Sequence, residues 1–235
     1  MANVVAMLIL SLDTSTTVCS VALHSDQQLL GCYELYIERT SSAMLTTLMP
    51  DLVVQTGHSL DQLDAIAVGM GPGSYTGLRI GVSTAKGLCF ALDKPLLAVN
   101  TLTAMAEQVR AFYMPETRLC PMIDARRMEV YCAIYDTAGA ELQPTAAVIV
   151  DEQSFGEWLA QGPVVFFGDG AAKCEAIVGS HLNARFIPQL ITPSARTIGQ
   201  LAREAYRAGR FEDPATFEPY YLKDFMTTQP RKAAV

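Results

Sequence analysis

Hydrophobic and polar positions along the first 36 residues predict three consecutive strands. Residues 7–13 form an apolar run that stops at an aspartate, and residues 17–24 alternate with a period of two. Residues 29–36 form a third apolar segment after the polar turn 25–28. Because only short turns separate the segments, we expect an antiparallel meander.

Three- and four-residue spacing then predicts two helices, at residues 41–55 and 76–92, with Pro50 as a kink in the first. Short apolar runs at 65–69 and 96–99 predict strands before and after the second helix. The order of elements over the first hundred residues is therefore βββαβαβ.

The second half of the chain begins with the same order, which indicates an internal repeat. A shift of 111 positions lays Asp124 on Asp13, Ala133 on Ala22 and Ile134 on Leu23. The elements expected in this half are a strand ending at Asp124, strands at 129–136, 142–150 and 164–167, helices at 152–161 and 195–208, and one helix between them.

A duplicated βββαβαβα unit is typical of the two-lobed actin-like architecture (ribonuclease H-like, ASKHA), so we predict an α/β fold of this class. The expected division is an N-terminal lobe at 1–108 and a C-terminal lobe at 109–210. A tail at 211–235 is expected to pack back on the lobes. In this architecture the two hairpin turns face each other across a cleft and contact phosphates.

Composition excludes several classes of protein. The 235 residues are 50% hydrophobic and 17% charged, with a net charge of -7, and this excludes disordered, collagen-like and disulfide-stapled chains. The pI of 4.9 argues against nucleic-acid binding by a basic patch. The mean hydropathy of +0.22 is high for a soluble protein, so the location of the surplus apolar residues has to be explained.

The apolar runs and the cysteines indicate the cellular compartment of the protein. The longest apolar run is interrupted at Ser11 and ends at Asp13, too short for a membrane span, and no signal peptide is evident. The six cysteines form no CxxC pair and are expected to be reduced core thiols. We therefore expect a cytoplasmic protein with no membrane role.

The most unusual segment is the glycine-rich stretch 69–81, between a predicted strand and a predicted helix. Its glycines could let backbone N–H groups approach an anion, but neither the GxGxxG fingerprint nor the P-loop pattern is present. The alternative is structural, with Ser74 or Thr76 as the helix cap and glycines that allow close packing. The structural glycine loop comprises Gly71, Gly73, Gly77 and Gly81.

Two segments are weak candidates for nucleotide binding. Asp13, Thr14 and Ser15 place an acid and hydroxyls in the first hairpin turn, where they could hold magnesium and phosphate oxygens. Gly168 and Gly170 follow an apolar strand, where a base or ribose could lie. The alternatives are a turn satisfied by its own hydrogen bonds and a simple helix entry.

No catalytic residue or metal ligand is predicted. The three histidines are too far apart for a local zinc motif, Ser83 and Lys86 fit SxxK without its companion motifs, and Ser74 does not fit GxSxG. Arg126 and Arg127, paired in the second hairpin turn, could act in catalysis or form a surface or lobe–lobe ion pair.

Three segments resemble the TsaB (YeaZ) family: GPGSYTGLRIGVSTAKGL at 71–88, LSLDTSTTVCSVAL at 10–23 and MIDARRMEVYCAIYD at 122–136. The similarity covers nearly the whole chain, including residues 219–222, and the first segment is highly specific. Tyr75 is a small departure, because phenylalanine is commoner there.

The resemblance implies a non-catalytic subunit that forms a heterodimer with its paralogue TsaD through N-terminal helices. The complex forms N6-threonylcarbamoyladenosine (t6A) at position 37, beside the anticodon of tRNAs that read codons beginning with A. TsaC supplies the activated threonylcarbamoyl group, TsaE binds at the heterodimer, and tRNA binds only through the complex. TsaD carries an HxxxH metal motif, whereas residues 39–45 here hold no histidine.

The resemblance also implies that this subunit requires no cofactor, with ATP or ADP possible at the complex interface. An alternative function on the same fold is an active ATP-dependent phosphotransferase or a glycoprotease-like enzyme.

The two N-terminal helices carry more apolar residues than one core face needs, so we expect part of them to contact TsaD. Because TsaD is a paralogue, we also expect a homodimer through the same surface. The predicted partner-binding residues are Met44, Leu45, Leu48, Met49, Leu52, Leu78, Val82, Ala85, Leu88 and Cys89.

Overall fold

The computed structural model describes residues 7–26, 28–36 and 41–222, which fold around two five-stranded sheets. Each sheet comes from one βββαβαβα unit, as the repeat predicted. The first unit comprises β1 (Leu8–Asp13), β2 (Cys19–Ser25), β3 (Leu29–Leu35), α1 (Ser41–Gln55), β4 (Ala65–Gly71), α2 (Tyr75–Leu92), β5 (Leu96–Asn100) and α3 (Thr101–Val109). The second comprises β6 (Arg118–Asp124), β7 (Glu129–Tyr135), β8 (Glu141–Ile149), α4 (Gly156–Gln161), β9 (Val164–Phe167), α5 (Ala171–Val178), β10 (Ala184–Phe186) and α6 (Ala195–Arg207).

The two sheets have the same topology. The first has the order β3-β2-β1-β4-β5, with an antiparallel meander followed by parallel strands. The second has the corresponding order β8-β7-β6-β9-β10. Strand β1 is buried along its whole length, which explains its continuous apolar run. The α/β class and the duplicated actin-like architecture are therefore confirmed.

Two helices, which we call the outer helices, cover one side of each sheet, and we call the other side of the sheet its inner face. Apolar side chains of α1 and α2 pack against β1, β2 and β4 in the first core, and α4 and α5 pack against the second sheet. Because α1 and α2 lie side by side on the same sheet, their other faces form one surface of the molecule.

Helices α3 and α6 pack across the lobe boundary that the sequence predicts between residues 108 and 109. Helix α6, from the second unit, packs on β1, β2, β4 and β5 of the first sheet, with Ile198 and Ala202 fully buried. Helix α3 sends Leu102 and Met105 into the core formed by the inner face of the second sheet. The predicted boundaries separate the two sheets, whereas α3 and α6 connect them.

After α6 the chain returns to the first sheet and α2. The Glu212 amide donates to the Leu96 carbonyl over 2.9 Å, and Phe217 packs against the first core. The Tyr220 amide donates to the Met70 carbonyl over 2.8 Å. We call residues 211–222 the C-terminal segment.

Three local features differ from the sequence-based prediction. The helix expected at 152–161 begins only at Gly156, because Ser154 and Asp151 bond each other and Phe155 has a left-handed φ of 64°. Neither α3 nor the three-residue strand β10 was assigned a range. Asn100, which caps α3 by accepting from the Leu102 and Thr103 amides, was an available signal for α3.

Candidate functional site

The glycine loop packs the start of α2 directly onto the first hairpin turn. A Cβ on Gly73 would clash with the Ser15 carbonyl, and a Cβ on Gly77 with the Thr14 carbonyl. A Cβ on Gly81 would lie 2.5 Å from Thr14 Oγ1. The structural role predicted for these glycines therefore fits their contacts.

Hydrogen bonds complete this junction. Ser74 is the N-cap of α2 and accepts from the Gly77 amide at 3.3 Å, while its own amide donates to the Ser15 carbonyl at 2.6 Å. Thr14 Oγ1 donates to the Gly77 carbonyl at 2.7 Å. The Ser74 and Gly77 amides, which could have held an anion, are thus used within the chain.

Asp13 is sealed inside this junction. It is fully buried, and its Oδ1 accepts from the amide and hydroxyl of Ser15, at 3.1 and 2.8 Å. Its Oδ2 has no hydrogen-bond partner among the described residues and lies against Gly69. Burial raises the pKa of Asp13 to about 6, although the Ser15 hydrogen bonds act to lower it.

Further buried polar groups lie on the α6 side of the same sheet. Ser11 Oγ and His24 Nδ1 have no hydrogen-bond partner in the part of the chain that the structure describes, and a Cβ on Gly199 of α6 would collide with the His24 ring. Burial lowers the pKa of His24 to about 4, and the nearby positive charges of Arg203 and Arg196 add to this effect. His24 is therefore a neutral packing residue at physiological pH.

The two hairpin aspartates are not equivalent, so laying Asp124 on Asp13 is wrong by one residue. Leu23 and Ile134 both face the outer helices of their sheets. Asp13 instead lies on the side of Ile9, towards α6, while Asp124 is exposed and bonds Lys173 of α5 at 2.7 Å. The second turn is one residue shorter, which moves Asp124 to the opposite face.

The residues proposed for nucleotide binding do not fit a nucleotide. Asp13, Thr14 and Ser15 are at most 2% exposed. Glycines 168 and 170 serve close packing as well, because a Cβ on Gly168 would clash with the Met122 carbonyl and one on Gly170 would lie 3.0 Å from Ile123 and Val130. We therefore derive no chemistry from a nucleotide at these residues.

Arg126 and Arg127 occupy an exposed turn between β6 and β7. Both have left-handed φ angles, 67° and 48°, and Lys173 supports the turn by donating to the Arg127 and Glu129 carbonyls. Within the part of the chain that the structure describes, neither arginine forms a salt bridge, so the expected lobe–lobe ion pair is not found there.

Seven of the ten residues predicted to bind a partner lie in the chain's own core, at most 4% exposed, and cannot make direct contact with a partner in this structure. The reason is that regular apolar spacing marks the face of a helix that packs on its own sheet. Met44, Leu48 and Leu88 are half-buried against the first core. The seven core residues are Leu45, Met49, Leu52, Leu78, Val82, Ala85 and Cys89.

The outward surface of α1 and α2, which we call the outer face, instead carries apolar residues that lie off the regular spacing. Phe90 is 91% exposed and Val54 66% exposed. Gly87 is exposed, and a Cβ there would meet nothing within 4 Å. Asp51 and Arg79 are the only exposed charged residues of the two helices, because Lys86 is half-buried. An apolar surface with few charges is typical of the centre of a protein–protein interface.

All six cysteines are free, and among the described residues no group of three or more His, Cys, Asp or Glu is placed to hold a metal ion. None of the helices in the described part of the chain combines the length and apolar character that crossing a bilayer requires.

Comparisons with known proteins agree with this architecture. Residues 35–224 match the family model described as TsaD, tRNA N6-adenosine threonylcarbamoyltransferase. The chain is 30% identical to the tRNA threonylcarbamoyladenosine biosynthesis protein TsaB of Escherichia coli (strain K12), over 93% of this chain and 95% of that protein. The TsaB of Bacillus subtilis (strain 168) is 32% identical over 69% of this chain and 71% of its own.

A solved structure gives the same result in three dimensions. YeaZ from Pseudomonas aeruginosa superposes with a TM-score of 0.80 at 32% identity, covering 92% of this chain and all of that one. Sequence and structure thus agree over nearly the whole length, and the chain belongs to the TsaB (YeaZ) family, within the wider group that the threonylcarbamoyltransferase model describes.

Proposed function

We propose that this protein acts in tRNA threonylcarbamoyladenosine biosynthesis as a non-catalytic subunit that binds a TsaD-type threonylcarbamoyltransferase through its outer face. The relatives' names support the pathway, and the match to the TsaD model supports a paralogous partner. The product is t6A at position 37 of tRNAs that read codons beginning with A.

The observation that carries the pairing is the outer face itself. Phe90 is almost fully in water although it lies beside a well-packed core, and Asp51 and Arg79 are the only exposed charged residues of α1 and α2. Burying a side chain of this size stabilises a complex by about 1.5–3 kcal/mol.

The absence of catalysis is supported by the sealed first hairpin turn. An ATP-dependent mechanism on this fold needs an aspartate that can reach magnesium and phosphate, whereas Asp13 is buried on the α6 side of the first sheet with no exposed surface. TsaC and TsaE act around the heterodimer in this proposal. The net charge of -7 fits a subunit that meets tRNA only through its partner.

Self-association through the same outer face is the expected state when no partner is present. An exposed apolar surface on a paralogue of the partner suits an isologous contact between two copies.

The test is a binding measurement with purified TsaD of the same organism, comparing Phe90→Arg and Val54→Arg with the wild type. Leu182→Arg, at a site 83% exposed in the second unit, is the matched control. We expect each outer-face variant to weaken binding at least about tenfold and the control to leave it unchanged. Unchanged binding by both variants would refute the proposal. Leu45→Arg is unsuitable, because Leu45 is fully buried and its loss would unfold the chain.

A further inference from the structure

Two tyrosines and an arginine form a cluster at the start of α2, which we call the Arg79 cluster. The Tyr75 and Tyr221 rings are 4.8 Å apart between centroids, with planes tilted by 32°. The Arg79 guanidinium carbon lies 5.7 Å from the Tyr75 centroid, in the range of a cation–π contact. The cluster thus joins the first turn of α2 to the C-terminal segment.

The C-terminal segment is held firmly where it supplies Tyr221. Lys86 of α2 donates to the Ala215 and Phe217 carbonyls, at 3.4 and 2.9 Å, and the Tyr220 amide bonds Met70. A Cβ on Gly71 would lie only 2.9 Å from the Tyr220 carbonyl. The position of Tyr221 is therefore set by several contacts and not by its own ring alone.

Arg79 is an exposed cation that forms no salt bridge with any described residue. At about 100° per residue, Arg79, Ser83 and Phe90 lie on one stripe of α2, within about 40° of each other. Because its stacking partner is already ordered, the guanidinium loses less conformational freedom on binding than a free arginine side chain.

We propose that Arg79 binds a carboxylate of the TsaD-type partner and so fixes the register of that partner on the outer face. This inference rests on the proposed function. An arginine fork is suited to a carboxylate, and Arg79 is the only exposed cation of α1 and α2, because Lys86 is half-buried and donates to carbonyls of the C-terminal segment.

The same observations favour the heterologous partner over a second copy of this chain. Asp51 is the only carboxylate on α1 and α2, and it already accepts hydrogen bonds from Tyr33 at 2.7 Å and Gln55 at 3.5 Å. From these two helices, a second copy would offer Arg79 only this carboxylate, which is already hydrogen-bonded. Arg79 therefore discriminates between the two complexes.

The experiment measures the dissociation constant of the full-length protein with purified TsaD at about 50 mM and 500 mM NaCl, concentrations that change charge screening strongly. Arg79→Gln should bind on the order of tenfold more weakly at low salt, and the difference should shrink at high salt. Arg79→Lys should retain part of the affinity, and homodimer formation by Arg79→Gln should be nearly unchanged. Arg210→Gln, an exposed arginine beyond α6, is the matched control.

The role of the stacked rings is tested with Tyr221→Ala against Tyr221→Phe, which keeps the ring. Tyr221→Ala should weaken TsaD binding severalfold without lowering the melting temperature of the rest of the protein, and Tyr221→Phe should not. Wild-type affinity and salt dependence in Arg79→Gln would overturn the inference. If Phe90→Arg still abolished binding in that case, the proposed function would stand and only the role of Arg79 would fall.

Discussion

The glycines of α2 lie in two opposite environments, one closely packed and one open. Gly77 and Gly81 face Thr14 with no room for a methyl group, whereas Gly87 faces open space. A helix-interior glycine costs about 1 kcal/mol relative to alanine. At Gly77 and Gly81 that cost is offset by close packing, but at Gly87 no contact with a described residue offsets it.

We expect Gly81→Ala and Gly77→Ala to lower the free energy of unfolding by about 1–3 kcal/mol, because the new methyl group overpacks the hairpin turn. Gly87→Ala, in the same helix, should raise it by about 0.5–1 kcal/mol. Urea denaturation of the three variants checks this contrast. Equal effects at Gly77 and Gly87 would contradict the packing described for the glycine loop.

Two buried titratable residues, Asp13 and His24, oppose each other in the pH dependence of stability. Asp13 has a folded pKa of about 6 against an ordinary 3.8, so the free energy of unfolding falls as pH rises through this interval. His24 has a folded pKa of about 4 against 6.5, so its contribution rises over nearly the same interval. Each shift corresponds to about 3 kcal/mol.

Single substitutions should separate the two opposing pH dependences of the free energy of unfolding. Asp13→Asn should leave a protein whose stability rises from about pH 4 to pH 6.5, and His24→Gln one whose stability falls from about pH 4 to pH 6. The measurement is the free energy of unfolding in urea at pH 4, 5, 6 and 7. Two variants with profiles parallel to the wild type would show that neither residue titrates as described.

At the scale of whole elements, periodicity predicted nearly every strand and both long N-terminal helices, because the repeating apolar positions face a sheet. The same rule also selected core residues as candidates for partner binding. Leu45 and Val82 follow the helical spacing and are core residues, while Phe90 and Val54 depart from it and are exposed. Apolar residues off the regular spacing were the signal for the outer face.

Features that depend on distant contacts could not be predicted from the sequence. That Asp13 and Asp124 lie on opposite sides of their sheets depends on a one-residue difference in turn length between the two hairpins. The packing of α6 on the first sheet depends on chain crossing, which local spacing does not encode. Asp151 and Ser154 bond each other and delay α4, an effect that is recognisable in sequence only once the turn is known.

The C-terminal segment gives a prediction at the same scale. Lys86→Met removes the donor to the Ala215 and Phe217 carbonyls, so residues 211–222 should exchange amide hydrogens faster while the strands of both sheets keep their protection. Lys94→Met removes the same charge beyond the end of α2 and is the control. Faster exchange throughout the protein would instead indicate that Lys86 supports the global fold.

At the scale of the molecule, the exchange of α3 and α6 between the two units joins the lobes mechanically. The inner face of the first sheet is covered by α6, and the inner face of the second by α3. Neither lobe can bury its sheet without a helix that the rest of the chain holds in place. We therefore expect one cooperative unfolding transition and not two.

Trp158 makes this expectation measurable, because it is the only tryptophan of the chain and lies in α4 of the second unit, where its indole N–H donates to Gln143 at 2.6 Å. Ile198→Ala removes a fully buried side chain from the core between α6 and the first sheet, at a cost of about 2–5 kcal/mol. If the lobes unfold together, Trp158 fluorescence and far-ultraviolet circular dichroism should report the same lowered urea midpoint. A Trp158 transition that stays at the wild-type midpoint while the dichroism shifts would show that the lobes are independent.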